Sequence, residues 1–265
     1  YVVGVGGTKD VGIPLGTGWG QRADQPLPAG QAVPDTLNWD LWLGTAQTVP
    51  YHPCYVPANW RRWWAFGSGQ LGDFGCHFMN LPFWALNLTD CRTVEAWGPK
   101  VNPYACPEYL KVRYTFPMRR NFPACTLTWY DGAKLPEVDA LLAKYQIPTK
   151  RNGMLFVGKL GVLFANYQEH EVYPIDKFQK AFKPAPWIPR TKSHYTEFLD
   201  ACKANDPSMT KCPFSYGGRL TESILLGTIS YRTGKKLTWD ADNLCTDVPE
   251  ANAMIKPAYR KGWEA

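Results

Sequence analysis

Five short runs between residues 93 and 166 fix the class of fold this chain can adopt. "TVEAWG" (93–98), "YLKVRYTFP" (109–117) and "ACTLTWYDG" (124–132) are rich in β-branched and aromatic residues; the second alternates cleanly and the third ends in an Asp-Gly turn signal. "MLFVG" (154–158) and "GVLFAN" (161–166) follow as a hairpin around Lys159 to Gly161. A short helix, "EVDALLAKY" (137–145), interrupts the series, and two longer ones, "SHYTEFLDACKAN" (193–205) and "YGGRLTESILLGTISYRTG" (216–234), close it. Strands in succession with helices gathered at the ends predict an α+β fold: an open, mostly antiparallel sheet with helices on one face and the other face free for a partner.

The first residues, "YVVGVGGTKDVG", imitate a dinucleotide fingerprint and fail as one. Gly4 and Gly6 fit, but Lys9 stands where the third glycine belongs, and Pro14, Gly16, Gly18, Gly20, Pro26 and Pro28 deny the helix whose N-terminus would hold the phosphates. The run reads as an edge or terminal strand entering a loop. The chain stays loop-rich to residue 60, and prolines at 174, 184, 186 and 189 predict a second long loop over 171–190. The first clear helix is predicted over 69–88, where Leu71, Phe74, Phe78, Leu81 and Trp84 share one face and Pro82 kinks or divides it.

Composition narrows the function. The 12 Trp, 14 Tyr and 12 Phe exceed what a core of this size needs, and such a surplus suits sugar-binding or interface surfaces. The net charge of +6 is dispersed without a run of like charges, which argues against a nucleic-acid partner, and no stretch approaches a membrane span. Eight cysteines without a C-x-x-C spacing speak against structural zinc, so no metal is expected; their even number permits pairing in an exported protein. Because the chain begins at Tyr1 rather than Met, its N-terminus is expected to be processed or incomplete, and the absence of a leader says little about compartment.

The densest chemistry lies in "NWRRWWAFGSGQLGDFGCHFMN" (59–80). Asp73 and His77 stand four apart on the predicted helix, one turn above the other. A histidine takes or returns a proton near neutral pH, and a nearby carboxylate can hold its ring. Glycines 67, 69 and 72 would let the backbone crowd a flat ligand, while Arg61 and Arg62, among Trp60, Trp63 and Trp64, offer guanidinium forks and ring faces to polyol hydroxyls. The same spacing also serves a helix cap at Asp73 and a rim-of-core histidine, and spacing alone does not choose.

"LNWDLWLG" (37–44), "PYHPCYVPANWRRWWAFGSGQLGDFGCHFMNLPFWAL" (50–86), "LTWYDG" (127–132), "LTESILLG" (220–227), "TGKKLTWD" (233–240) and "PAYRKGW" (257–263), in that order, closely resemble the C-terminal half of the Gfo/Idh/MocA oxidoreductases, in their bacterial branch. The resemblance implies a single substrate-binding and oligomerisation domain over 1–265, with the dinucleotide-binding domain that holds NAD or NADP missing from these residues. It implies His77 as acid or base toward a hydroxyl or ketone of a sugar, cyclitol or glycoside, with Asp73 assisting. The family's third active-site member, a lysine in an E-K-P motif, is absent, and Asn80 departs from the usual H-x-x-D. Arg61, Trp64, Asn80, Arg190 and His194 are the expected substrate contacts; for Arg190 and His194 a plain surface role stands equally open. Homo-oligomer contacts are expected on the open sheet face. Similar proteins often carry a twin-arginine signal, which leans the compartment toward export. Two other functions fit the same residues: redox-assisted glycoside cleavage by elimination, and a non-catalytic carbohydrate-binding or assembly module.

Overall fold

The computed structural model describes residues 2–5, 26–132, 136–148, 153–178, 185–190 and 193–264. Lys9 and the glycine-rich stretch after Val5 lie outside the described residues. The elements in chain order are β1 (Val2–Val5), α1 (Trp39–Leu43), α2 (Gly69–Phe78), α3 (Asn80–Leu86), β2 (Thr93–Trp97), β3 (Leu110–Phe116), β4 (Cys125–Asp131), α4 (Pro136–Lys144), β5 (Gly153–Val157), β6 (Val162–Ala165) and β7 (His170–Tyr173). Then come α5 (Ile175–Phe178), α6 (His194–Ala204), α7 (Phe214–Thr233), β8 (Leu237–Asp240), β9 (Cys245–Thr246) and α8 (Pro249–Ile255).

One nine-stranded sheet runs β7-β6-β5-β1-β4-β3-β2-β8-β9. Every pairing is antiparallel except β1 with β4, where Val3 faces Thr128 and Gly4 faces Trp129. The fold is thus α+β with an open, mostly antiparallel sheet. Placing "VVGV" at an edge needs correction: β1 sits between β4 and β5 and uses both rows of its backbone groups. A short run of small and β-branched residues suits an interior strand as well as an edge one, and alternation carries no word about neighbours.

α7 lies across β2 and α2 packs antiparallel to it, Gly75 against Ile224 and Cys76 Sγ 3.8 Å from Thr221 Oγ1. These helices close the main core, with Leu71, Phe78, Val112, Leu127, Trp129 and Ile224 all buried. Successive residues of β4 and β5 split between two cores, Trp129 and Met154 joining this one, Tyr130 and Leu155 the other, because side chains alternate across a sheet. The second core is capped by Val138 and Leu142 of α4. Hence the two long packed helices share one face, while α4 covers part of the opposite one.

The helix expected over 69–88 divides at Met79, three residues before Pro82. A proline ring clashes with the carbonyl four residues back, here that of Phe78, the last residue of α2. The break shifts the helical phase, so Phe83 takes the core position and Trp84 is 50% exposed. The proline-rich stretch 171–190 likewise contains the rest of β7 and the single turn α5.

Asp131, buried at the end of β4, accepts from Trp129 Nε1 at 2.8 Å. Burial pushes its carboxyl up to about 7, against the opposing pull of the Trp129 and Leu110 donors. An unfolded aspartate titrates near ~3.9, so between about pH 4 and 7 the folded chain holds a proton that the unfolded chain has released. This group therefore lowers stability as pH rises through that window. Asp131→Asn keeps an acceptor for Trp129 and should show a smaller fall in Tm from pH 5 to pH 8 than the wild type; an equal fall would refute this assignment.

Candidate active site

The segment before α2 is held by an aromatic cluster in which Tyr55 and Trp63 are buried against Trp39, Trp42 and Phe66. Trp39 and Trp42 stack at 4.6 Å, and Tyr55 meets Trp63 edge-on at 5.2 Å. Part of the aromatic surplus therefore goes into this satellite core, which replaces regular structure in the proline-rich segment, and not onto a sugar-binding surface. Arg260, from the C-terminal "PAYRKGW", closes the cluster from outside: it donates to Asp40 Oδ1 at 2.6 Å and to the Gly44 carbonyl at 2.7 Å.

The glycines also serve internal packing. A Cβ at Gly67 would lie 2.7 Å from the Arg61 backbone, and one at Gly72 2.4 Å from Ser68 Cβ. At Gly69, where φ is +64°, it would meet Cys106 Cβ at 2.7 Å. Their service to a flat ligand is thus replaced by one to the chain itself: they let 61–72 fold tightly and fix where α2 begins.

On α2 the structure separates the roles expected of one pair. Asp73 Oδ2 lies 3.4 Å from Arg61 Nε, and the Arg61 guanidinium covers the Trp60 ring at 4.5 Å. His77, one turn later and exposed, instead has Nδ1 2.9 Å from the hydroxyl of Tyr167, at the β6–β7 hairpin tip. Asn166 shapes that tip, its Oδ1 accepting from the amides of Gln168 and Glu169 at 2.9 and 2.8 Å. The Tyr167 ring stands out while its hydroxyl end is partly buried, which raises its pKa and keeps it protonated at neutral pH. The partner that orients the His77 ring is therefore Tyr167, 90 residues away in the chain. No sequence spacing signals that contact; only the turn residues Asn166 to Glu169 mark an exposed hairpin tip.

The other expected contacts disperse. Trp64 turns inward, donating from Nε1 to the Asn102 carbonyl at 3.1 Å. Asn80 Oδ1 accepts from Tyr216 Oη at 2.7 Å, an α3–α7 brace. His194 opens α6 with its ring 4.1 Å from that of Tyr195, and Arg190 lies exposed in the segment before it. Arg62, beside Arg61, is a structural cation, its side chain reaching Asn59 at 3.5 Å and its pKa lowered by burial.

Among the described residues no group of three or more His, Cys, Asp or Glu is placed to hold a metal ion, and no helix is long and apolar enough to cross a membrane. Nor do they contain a strand followed by a multi-glycine turn and a helix, the cradle a dinucleotide pyrophosphate needs. On the exposed edge of α2 they present an imidazole whose Nδ1 is met by Tyr167.

Residues 15–120 match the Gfo/Idh/MocA family model described as "Oxidoreductase family, C-terminal alpha/beta domain". No curated protein matches the chain. Among solved structures, that of an NAD-binding protein from Listeria innocua is similar at 16% identity and a TM-score of 0.43, over 69% of this chain and 55% of that one. The chain thus spans about half the length of that protein.

Proposed function

We propose that this chain, whose residues 15–120 match the C-terminal alpha/beta domain model of the Gfo/Idh/MocA oxidoreductases, is the substrate-side domain of an NAD(P)-dependent enzyme that interconverts a hydroxyl and a ketone on a sugar, cyclitol or glycoside. The observation that carries this reading is the exposed His77 with Nδ1 held at 2.9 Å by Tyr167.

In the oxidising direction the phenolic oxygen of Tyr167 accepts Nδ1–H, which leaves the Nε2 lone pair to receive the substrate hydroxyl proton. In the reducing direction the imidazolium returns that proton from Nε2 to the carbonyl oxygen. Asp73 pairs with Arg61 one turn away from His77, so it anchors the entrance to α2 and does not itself grip the ring. A nicotinamide cofactor, for which the described residues contain no cradle, would supply the hydride acceptor or donor when bound.

The test is turnover of the full-length protein with NAD+ or NADP+ on a panel of sugars, cyclitols and aryl glycosides, read by nicotinamide absorbance. Stoichiometric NAD(P)H formation supports the reading. Aglycone release without NAD(P)H accumulation replaces it with redox-assisted glycoside cleavage, and saccharide binding without either replaces it with a non-catalytic module.

A further inference from the structure

A cavity of about 630 Å³ lies between the Trp63–Ser68 segment, α7 and the end of α8, and neither Asp73 nor His77 lines it. Its walls are mainly apolar, with Trp64, Leu225, Ile229 and Met254 among them. Two of its residues, Glu222 and Arg232, are charged. They stand ten residues apart on α7, which puts them about 15 Å apart along the helix axis. The cavity is therefore a slot with an acidic and a basic end.

The two ends differ in how their charge is met. Glu222 is satisfied: Trp239 Nε1 donates to it at 2.6 Å and Arg219 lies at 3.3 Å. Arg232 is half-buried, and its guanidinium covers the Trp64 ring at 5.1 Å. Among the described residues it makes no ion pair. A cation-π contact leaves its in-plane N–H donors free for an anion, and a buried charge is stabilised when one arrives. A saccharide is a poor fit, because such walls would leave most of its hydroxyls unpaired. A dianion is disfavoured by Glu222 in the same slot.

We propose that this cavity binds an amphipathic monocarboxylate, its carboxylate on Arg232 and its apolar body along Trp64, Leu225, Ile229 and Met254. This second site takes a ligand chemically unlike a sugar and stands independently of the role given to His77.

Calorimetric titration of the full-length protein with decanoate, and with decanol as its uncharged counterpart, tests this. Decanoate should bind one-to-one and at least tenfold more tightly than decanol, tenfold being about 1.4 kcal/mol. Arg232→Met should remove that preference while leaving decanol affinity within twofold, and Ile229→Trp, which fills the slot, should weaken both ligands. His77→Ala should leave decanoate binding unchanged. Circular dichroism confirms that each variant is folded; if Arg232→Met is not, Arg232→Lys should retain the preference for decanoate. Absence of saturable decanoate binding to the wild type overturns the proposal, as does equal affinity for the two ligands or a decanoate affinity insensitive to both Arg232→Met and Ile229→Trp.

Discussion

On the proposed oxidoreductase reading, His77→Ala is expected to lower kcat of the full-length protein by about 10²- to 10⁴-fold, the range that a positioned proton-transfer group contributes. The side chain is exposed and its backbone lies inside α2, so truncation opens no cavity in the core and the variant should fold and bind cofactor as the wild type does. Tyr167→Phe separates orientation from chemistry. It removes the hydroxyl 2.9 Å from Nδ1 and leaves the ring, and should reduce kcat about five- to tenfold, as loss of one hydrogen bond worth about 1 kcal/mol would. Because Tyr167 acts through His77, the substitution should also displace the pH profile of kcat, whereas a purely structural loss would scale the whole profile. The double variant should be no slower than His77→Ala alone. Activity of His77→Ala within threefold of wild type would remove the imidazole from the mechanism.

The sequence reveals what is local and hides what is long-range. Apolar spacing locates β3, β4, α4, α6 and α7 to within two residues at each end, because each element must show one consistent face to a core. β8 and β9 escape notice because they are only four and two residues long and take their order from pairing, β8 on β2 and β9 on β8. Whether Val2–Val5 is an edge or an interior strand depends on β4 and β5, more than a hundred residues further on. The site divides in the same way. That His77 stands on α2, one turn after Asp73, follows from residues 69–78 alone, whereas its exposure and its ring partner from the β6–β7 turn do not. Arg61 shows why four-residue spacing is a weak guide: it takes up the carboxylate of Asp73 from outside the helix. For Trp64 and Asn80 the residue types were suggestive, and internal hydrogen bonds to Asn102 and from Tyr216 claim them instead.

Trp129→Ala should destabilise the chain by about 3–5 kcal/mol, the largest single loss expected in the core. The indole is fully buried in the main core on β4, with Gly4 of β1 and Val112 of β3 opposite it in the neighbouring strands. The loss is also polar. Nε1 is a donor to the buried Asp131, and without it the carboxylate loses one of the contacts that make its charged form tolerable, so its pKa climbs above about 7. Trp129→Phe keeps most of the apolar volume and removes that donor with part of the ring, which places its cost near 1–2 kcal/mol and makes the polar share of it rise with pH as Asp131 ionises. Urea unfolding followed by far-ultraviolet circular dichroism at pH 5 and pH 8 measures both terms. A loss below 1 kcal/mol for Trp129→Ala would mean that the sheet does not carry its core where β1 enters it. A pH-independent cost for Trp129→Phe would detach Asp131 from the indole.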